Sequence, residues 1–351
     1  MKKFLSILLS LALCLSMAAC GASSNSGKAP VGLATANDAD TTYKIAIIQQ
    51  LDHSSLDEIR HAIVAQLGAL AQGKDFNIQI EQYNGQNDNS MLNQISTDAV
   101  AEGVDLIIPI ATLAATAAVT AAEGTDIPIV YAAISDPESA GLTGLANVTG
   151  VSDALNTAFI LDMMLTAQPD IQTVGLLYSN SEINSQTPIA EAKAYLDSRG
   201  IAYLEKTGTT AGEIVEAAAS LVGRVDAVFT PTDNAVMAAE ASVAELLNAD
   251  GIPHYTGADS FVYSGAFATC GVNYTELGTK VADLAYDILL GGEIGDFQIM
   301  DGGIIAVNTD TANTIALDYS VFATMANTLT EVHLEGDTVV DQEGNTLAEL
   351  G

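Results

Sequence analysis

The chain has 351 residues and carries 44 acidic against 11 basic side chains, a formal net charge of −33. That length suits two α/β units with sizeable cores. The charge repels phosphate backbones and anionic headgroups alike, which argues against nucleic acid as a partner.

The first segment stands apart from the rest. Lys2 and Lys3 precede an apolar run over 4–17, followed by Met17-Ala18-Ala19-Cys20-Gly21. The run is shorter than the roughly 20 residues that span a bilayer. It resembles a bacterial lipoprotein signal peptide, which implies removal of 1–19 and a diacylglyceryl group on the Cys20 thiol. An ordinary secretory signal with an incidental cysteine is the other reading, and either one exports the mature chain. Residues 20–41 are rich in Ser, Gly, Ala, Asn and Asp without hydrophobic period and form a tether. With Cys14 and Cys20 so assigned, Cys270 has no disulfide partner and is expected in the core.

From Tyr43 onward, strand and helix patterns alternate. YKIAIIQ (43–49) is a buried strand, 56–72 a helix, NIQIEQY (77–83) a strand and 89–102 a helix. VDLIIPIATLAATAAV (104–119) is an apolar strand that gives way at Thr112 to an alanine-rich helix. IPIVYAAI (127–134) follows. NVTGVSD (147–153) is short and polar, and is expected to be the first crossing between lobes. The pattern then restarts with a helix over 157–168, TVGLLYS (173–179), a helix around 189–197, IAYLEKT (201–207) and a helix over 211–222. VDAVFTPTDNAVMAAEASV (225–243) repeats the Val-Asp strand, a proline, polar residues and an alanine-rich helix. GAFATCGVNYTELG (265–278) is expected to be a return crossing, with its helix packing on the first lobe. IIAVN (304–308) rejoins the second lobe, and the acidic tail 323–351 is either a small hairpin or loosely ordered. The expected architecture is α/β, with two doubly wound parallel-sheet lobes: 42–150 plus 273–298, and 151–272 plus 299–322.

Thr112 crests one half, and Thr232, Asp233 and Asn234 crest the other. A helix start offers unpaired N–H groups, and ligands of open α/β sheets gather at the carboxyl ends of strands. Two such lobes facing each other would make a cleft with one anion-seeking wall and one acidic wall.

With these segments placed, the chain resembles the ABC-transporter substrate-binding lipoproteins described as tryptophan- or tyrosine-binding, which have the type I periplasmic-binding-protein fold. The residues that carry the resemblance are IIQQLDHSSLD, DLIIPIATLAA, AISDPESAGL with NVTGVSD, LLYSNSEINS, FTPTDNAV and GAFATCGVNYTELG, spread over 43–322 in the family's order. It departs from the family in QQLDH, where Gln49 and Gln50 after Ile48 and the two serines Ser54 and Ser55 differ from the histidine-proline usual there, and these residues belong to one wall of the implied pocket. The resemblance implies three crossings, hinge closure on an aromatic or other amino-acid-like ligand, and delivery to an ABC permease. It also implies a monomer anchored through Cys20 on the extracytoplasmic face of the cell membrane.

An amino-acid zwitterion needs its carboxylate and its ammonium hydrogen-bonded once water is expelled. Thr112 with the N–H groups after it, and Ser135, suit the carboxylate; Asp233 with Asn234 suits the ammonium. Asp136, Glu182 and Asp259 also lie at strand ends, Asn184 lies near one, and Gln49 points into the cleft if its strand is central. Each has a plainer reading as a helix cap or turn residue. No cofactor and no metal site is expected: His53, His61, His254 and His333 lack metal-ligand spacing, and no hydrolase or phosphate-binding signature is present. That leaves a non-enzymatic transport receptor as the expectation. Its alternatives are a sensor of the same fold signalling to a membrane partner, an exported hydrolase, or a LacI-like regulator core, the last disfavoured by the export signal.

Overall fold

The computed structural model describes residues 39–349 together with 32, 33 and 37. The expected signal segment 1–19, Cys20 and most of the tether lie outside the described residues.

The first half runs β1 (Gly32–Leu33), β2 (Thr41–Gln49), α1 (Ser54–Ala71), β3 (Phe76–Asn84), α2 (Asn89–Ala101), β4 (Leu106–Ile110), α3 (Thr112–Ala121), β5 (Ile129–Ala132) and β6 (Val148–Ser152). The second runs α4 (Thr157–Ala167), β7 (Thr173–Ser179), α5 (Gln186–Arg199), β8 (Ala202–Gly208), α6 (Ala211–Ala219), β9 (Ala227–Thr230), α7 (Asn234–Met237), α8 (Glu240–Ala249), β10 (His254–Thr256), α9 (Asp259–Tyr263) and β11 (Ala268–Gly271). The chain then returns as α10 (Tyr274–Leu289) and β12 (Gln298–Ile299). It ends with β13 (Ile304–Asn308), α11 (Thr309–Ile315), β14 (Thr328–Glu335), β15 (Thr338–Asp341) and β16 (Thr346–Glu349).

Two sheets result, in the orders β1-β3-β2-β4-β5-β6-β12 and β16-β15-β14-β13-β11-β10-β9-β7-β8. The runs β3-β2-β4-β5-β6 and β8-β7-β9-β10-β11 are parallel and follow the same doubly wound order. The strand order reverses beside β2 and β4 in one sheet and beside β7 and β9 in the other, where such sheets hold ligands. Both faces of β2 are buried, which explains its unbroken apolar run. Ile45 and Ile47 pack in the cluster that includes α1 and α10, while Ala46 and Ile48 pack in the cluster of α2 and α3.

The repeated Val-Asp pairs hold equivalent places at the amino ends of the sheets. The Asp105 carboxylate accepts from the backbone N–H of Lys44 at 2.7 Å, and that of Asp226 accepts from Gln172 and Thr173 N–H at 2.8 Å. Each fastens a neighbouring strand, β2 within its first half and β7 at its start. The returning helix lies close against the first lobe: a Cβ on Gly278 of α10 would stand 2.6 Å from the Ile59 carbonyl oxygen of α1.

One expectation changes and an open one is settled. The NVTGVSD segment is not simply a crossing, because Val148–Ser152 is a fully buried strand paired to β5, and the chain leaves the sheet only at Asp153. The glycine that makes this stretch look loose, Gly150, lies opposite Tyr131, whose ring and carbonyl occupy the space a Cβ would need. The hairpin reading of the acidic stretch holds, with β14 and β15 pairing antiparallel, and the hairpin joins the second sheet through residue 349. β14 adds parallel to β13, and Val332 and Val339 pack on Val262, Tyr263 and Ala306 beneath a solvated acidic surface.

Candidate ligand-binding site

The carboxyl ends of the two sheets face each other across a narrow gap, with Leu56, Ala111, Thr112 and Ser135 on one side. Asn184, Thr232, Asp233, Asn234, Met237, Ser260 and Phe261 lie on the other, with Asp153 and Tyr274 at the crossings. The remaining cavity is about 30 Å³, space for a water or two, so an amino acid enters only if the lobes part. Two tips carry left-handed backbone at non-glycine residues, Ala111 at φ 73° and Ala133 at φ 55°. Such conformations are uncommon for non-glycine residues and cost energy, and both alanines line the gap.

Side chains join the lobes directly. Ser55 Oγ donates to Asp259 Oδ1 at 2.9 Å, Thr187 Oγ1 donates to Asp136 Oδ2 at 2.6 Å, and the hydroxyls of Ser135 and Thr232 meet at 2.9 Å. Gln50 is the busiest of these residues. Its Oε1 accepts from Leu113 N–H at the start of α3, and its Nε2 donates at 2.9 Å to both Asn87 Oδ1 and Glu182 Oε1. Asn234 Nδ2 donates to Glu182 Oε2 at 3.1 Å, and His53 Nε2 stands 3.2 Å from Asn234 Oδ1.

The seam buries acids without cations. Among the described residues, no lysine or arginine pairs with Glu182, Asp233, Asp153 or Asp259. Burial, with Asp233 nearby, pushes Glu182 up to about 8. Burial also raises Asp233 and lifts Asp153 and Asp259 to about 6, while it lowers His53 to about 4 and keeps that ring neutral at pH 7. Three polar atoms lining the gap are buried without a hydrogen-bond partner: His53 Nδ1, Asn184 Oδ1 and Ser260 Oγ. An unpaired buried polar atom costs about 1–3 kcal/mol. They are therefore groups for a ligand to satisfy.

Of the residues singled out in the sequence, Thr112, Ser135, Asn184, Asp233 and Asn234 line this gap. Asp136 binds Ser139 N–H and Thr187 beside it, and Asp259 is held between Ser55 and Tyr263 at its edge. Gln49 is a correction. Its strand is central, but its amide turns to Asp57 and Arg60 on α1, because successive side chains of a strand point to opposite faces. The next residue, Gln50, reaches the other lobe. Asp233 takes its plainer reading as the cap of α7: Ser179 N–H, Ser185 Oγ and Val236 N–H already bind it from within its own lobe. Gln50 and Ser55 were noted only as a departure in the pocket wall, and His53, Asp153, Ser260, Phe261 and Tyr274 were not anticipated. Only Gln50, one step past a buried run, carried a readable signal.

Residues 44–321 match the family model described as ABC transporter substrate binding protein. A tyrosine-binding protein of Clostridioides difficile (strain R20291) is 32% identical over 321 residues, covering 90% of this chain and 92% of that protein. A crystal structure of an ABC domain in complex with L-Trp from Streptococcus pneumonia superposes with a TM-score of 0.77 at 27% identity, over 82% of this chain and 100% of that one. The ligand-free, open structure of a substrate-binding protein with adhesive properties from Clostridium difficile is more similar in sequence, at 32%. It nevertheless superposes less well, with a TM-score of 0.60 over 79% of this chain and 95% of that one. That inversion fits a seam whose lobes touch. The chain belongs to the family of ABC transporter substrate-binding proteins and has their two-lobed type I periplasmic-binding-protein fold.

Proposed function

We propose that this chain is the extracytoplasmic receptor of an ABC importer, acting as a monomer anchored through Cys20, and that it closes on an aromatic amino acid. The observation that carries the ligand class is the pairing of three unsatisfied polar atoms with an apolar wall of Leu56, Met237 and Phe261 in one gap. Asn184 Oδ1, with the Asp153 carboxylate at the gap, suits an ammonium; Ser260 Oγ and the start of α3 at Thr112 suit a carboxylate. The aromatic ring takes the apolar wall. The tyrosine-binding and L-Trp-bound relatives support the same choice.

Thermal shift of the processed chain against L-tyrosine, L-tryptophan, L-phenylalanine, aliphatic amino acids and sugars tests this. A ligand at 100 times its dissociation constant stabilises by about 2.7 kcal/mol. Aromatic amino acids are expected to shift the transition and sugars to leave it unmoved; a shift with sugars alone overturns the ligand class. The anchor is tested separately. Two acyl chains hold a protein on a bilayer, at about 0.8 kcal/mol per buried CH₂, so Cys20→Ala is expected to move the chain from the membrane fraction to the medium. If it stays with the membranes, Cys20 is not the anchor.

A further inference from the structure

Four residues form a chain of hydrogen bonds across the seam, and the direction of the bonds is not free along its whole length. Leu113 N–H can only donate, so it fixes Gln50 Oε1 as the acceptor and leaves Gln50 Nε2 as a donor to Glu182 Oε1. Beyond Glu182 the constraint ends. The Asn234 amide is nearly the same shape turned over, and the neutral His53 ring has two tautomers.

Two arrangements satisfy every bond. With Glu182 ionised, Asn234 Nδ2 donates to Glu182 Oε2, Asn234 Oδ1 accepts from His53 Nε2–H, and His53 Nδ1 is a bare lone pair in the gap. With Glu182 protonated, its new O–H must point at Asn234, since Gln50 offers only a donor. The amide turns over, Asn234 Nδ2 donates to His53 Nε2, and the ring proton moves to Nδ1. One proton taken from solvent accounts for the change, and no other residue gains or loses charge.

We propose that Glu182, Asn234 and His53 form a specificity relay in which the proton on Glu182 decides whether His53 offers the ligand an N–H or a lone pair. Glu182 is a positioning residue, because it does not line the gap itself. With the proton in place the ring reads a ligand acceptor such as a carboxylate; without it, the ring reads a donor. The charged groups facing the relay are Asp233 from the start of α7, beside Glu182, and Asp57 of α1, beside His53 and paired with Arg60 at 3.0 Å. The remaining neighbours, Gln50, Asn87 and the Leu113 N–H, are neutral. Burial holds Glu182 near neutrality as a proton acceptor and keeps His53 uncharged, so the relay switches the tautomer and not the charge of the ring.

The relay rests on the reading of the gap as the ligand site, but its test needs no ligand. Ser139 and Thr187 face each other across the seam with hydroxyls 3.4 Å apart, so S139C with T187C closes the full chain by a disulfide. Ring ¹⁵N resonances of His53, assigned by a His53→Gln sample, are followed from pH 6 to 10. The closed chain is expected to pass from the Nδ1–H to the Nε2–H tautomer near pH 8, the ratio changing about tenfold per pH unit. In E182Q the amide oxygen must face Gln50 and the NH₂ must face Asn234, so Nδ1–H is expected throughout. In N234A the link is cut, and the ratio is expected not to follow pH. A tautomer that ignores pH in the parent chain, or that titrates equally in E182Q, overturns the relay. Thermal shifts with the ligand panel stand or fall independently of it.

Discussion

Affinity for L-tryptophan is expected to fall about tenfold for each pH unit between pH 6 and 8, about a hundredfold in all, and then to level off. With the lobes parted the Glu182 carboxyl is expected to regain water and fall towards the ordinary value of about 4.3, with Asp233 of its own lobe still beside it. In the closed seam it is pushed up to about 8 by burial and by Asp233. The closed form therefore holds a proton that the open form releases anywhere between these two values. Closure is fully supported below the lower value, loses support as pH rises towards the upper one, and is indifferent above it. Below pH 6, Asp153 and Asp259 act with the same sign, since burial lifts each to about 6, and the slope steepens. E182Q removes the 6–8 segment. Calorimetric titration at pH 7 in two buffers of different ionisation enthalpy counts the protons directly: uptake of about one is expected, and a count of zero would sink the linkage.

Asp233→Ala is expected to lower the stability of the folded chain by about 3–5 kcal/mol, whatever the ligand does. The carboxylate caps α7 through Val236 N–H at 2.9 Å, and it also receives Ser179 N–H at 2.7 Å and Ser185 Oγ at 2.6 Å, all buried. Losing a cap costs about 0.5–2 kcal/mol, and each buried donor left unpaired costs about 1–3 kcal/mol. Asp233→Asn keeps one oxygen and should lose roughly half as much. Urea unfolding of both variants, with the midpoint read separately from ligand affinity, distinguishes this from a lost ligand contact. A D233A chain of unchanged midpoint that no longer binds would return Asp233 to the ligand. Burial raises this carboxyl, so its bracing of the β7 and β9 tips relies on these donors holding the group ionised.

The sheet halves were legible because their signal is local. Buried parallel strands read as unbroken apolar runs such as IAIIQ and LIIPI, and each Val-Asp pair announces a strand whose carboxylate fastens its neighbour. The places where strands hand over to helices were equally plain, and Thr112 and Asn234 do begin α3 and α7. Local pattern misled where one residue carries a long-range contact. Gly150 makes a buried strand look like a linker because its missing side chain leaves room for Tyr131.

What each tip residue does was a matter for the tertiary structure. Gln49 and Gln50 are chemically identical neighbours, and only the pleat of β2 sends one to Arg60 and the other across the gap to Glu182. Asp233 looks like a free acid until Ser179 and Ser185, some fifty residues earlier in the chain, are folded against it. The sequence alone determined the two-lobed α/β plan and the strand ends that face each other, because hydrophobic period is written residue by residue. The tertiary structure alone decided which polar atoms are satisfied and which are left for a ligand, because a hydrogen bond depends on distance and direction between groups that the order of residues does not contain.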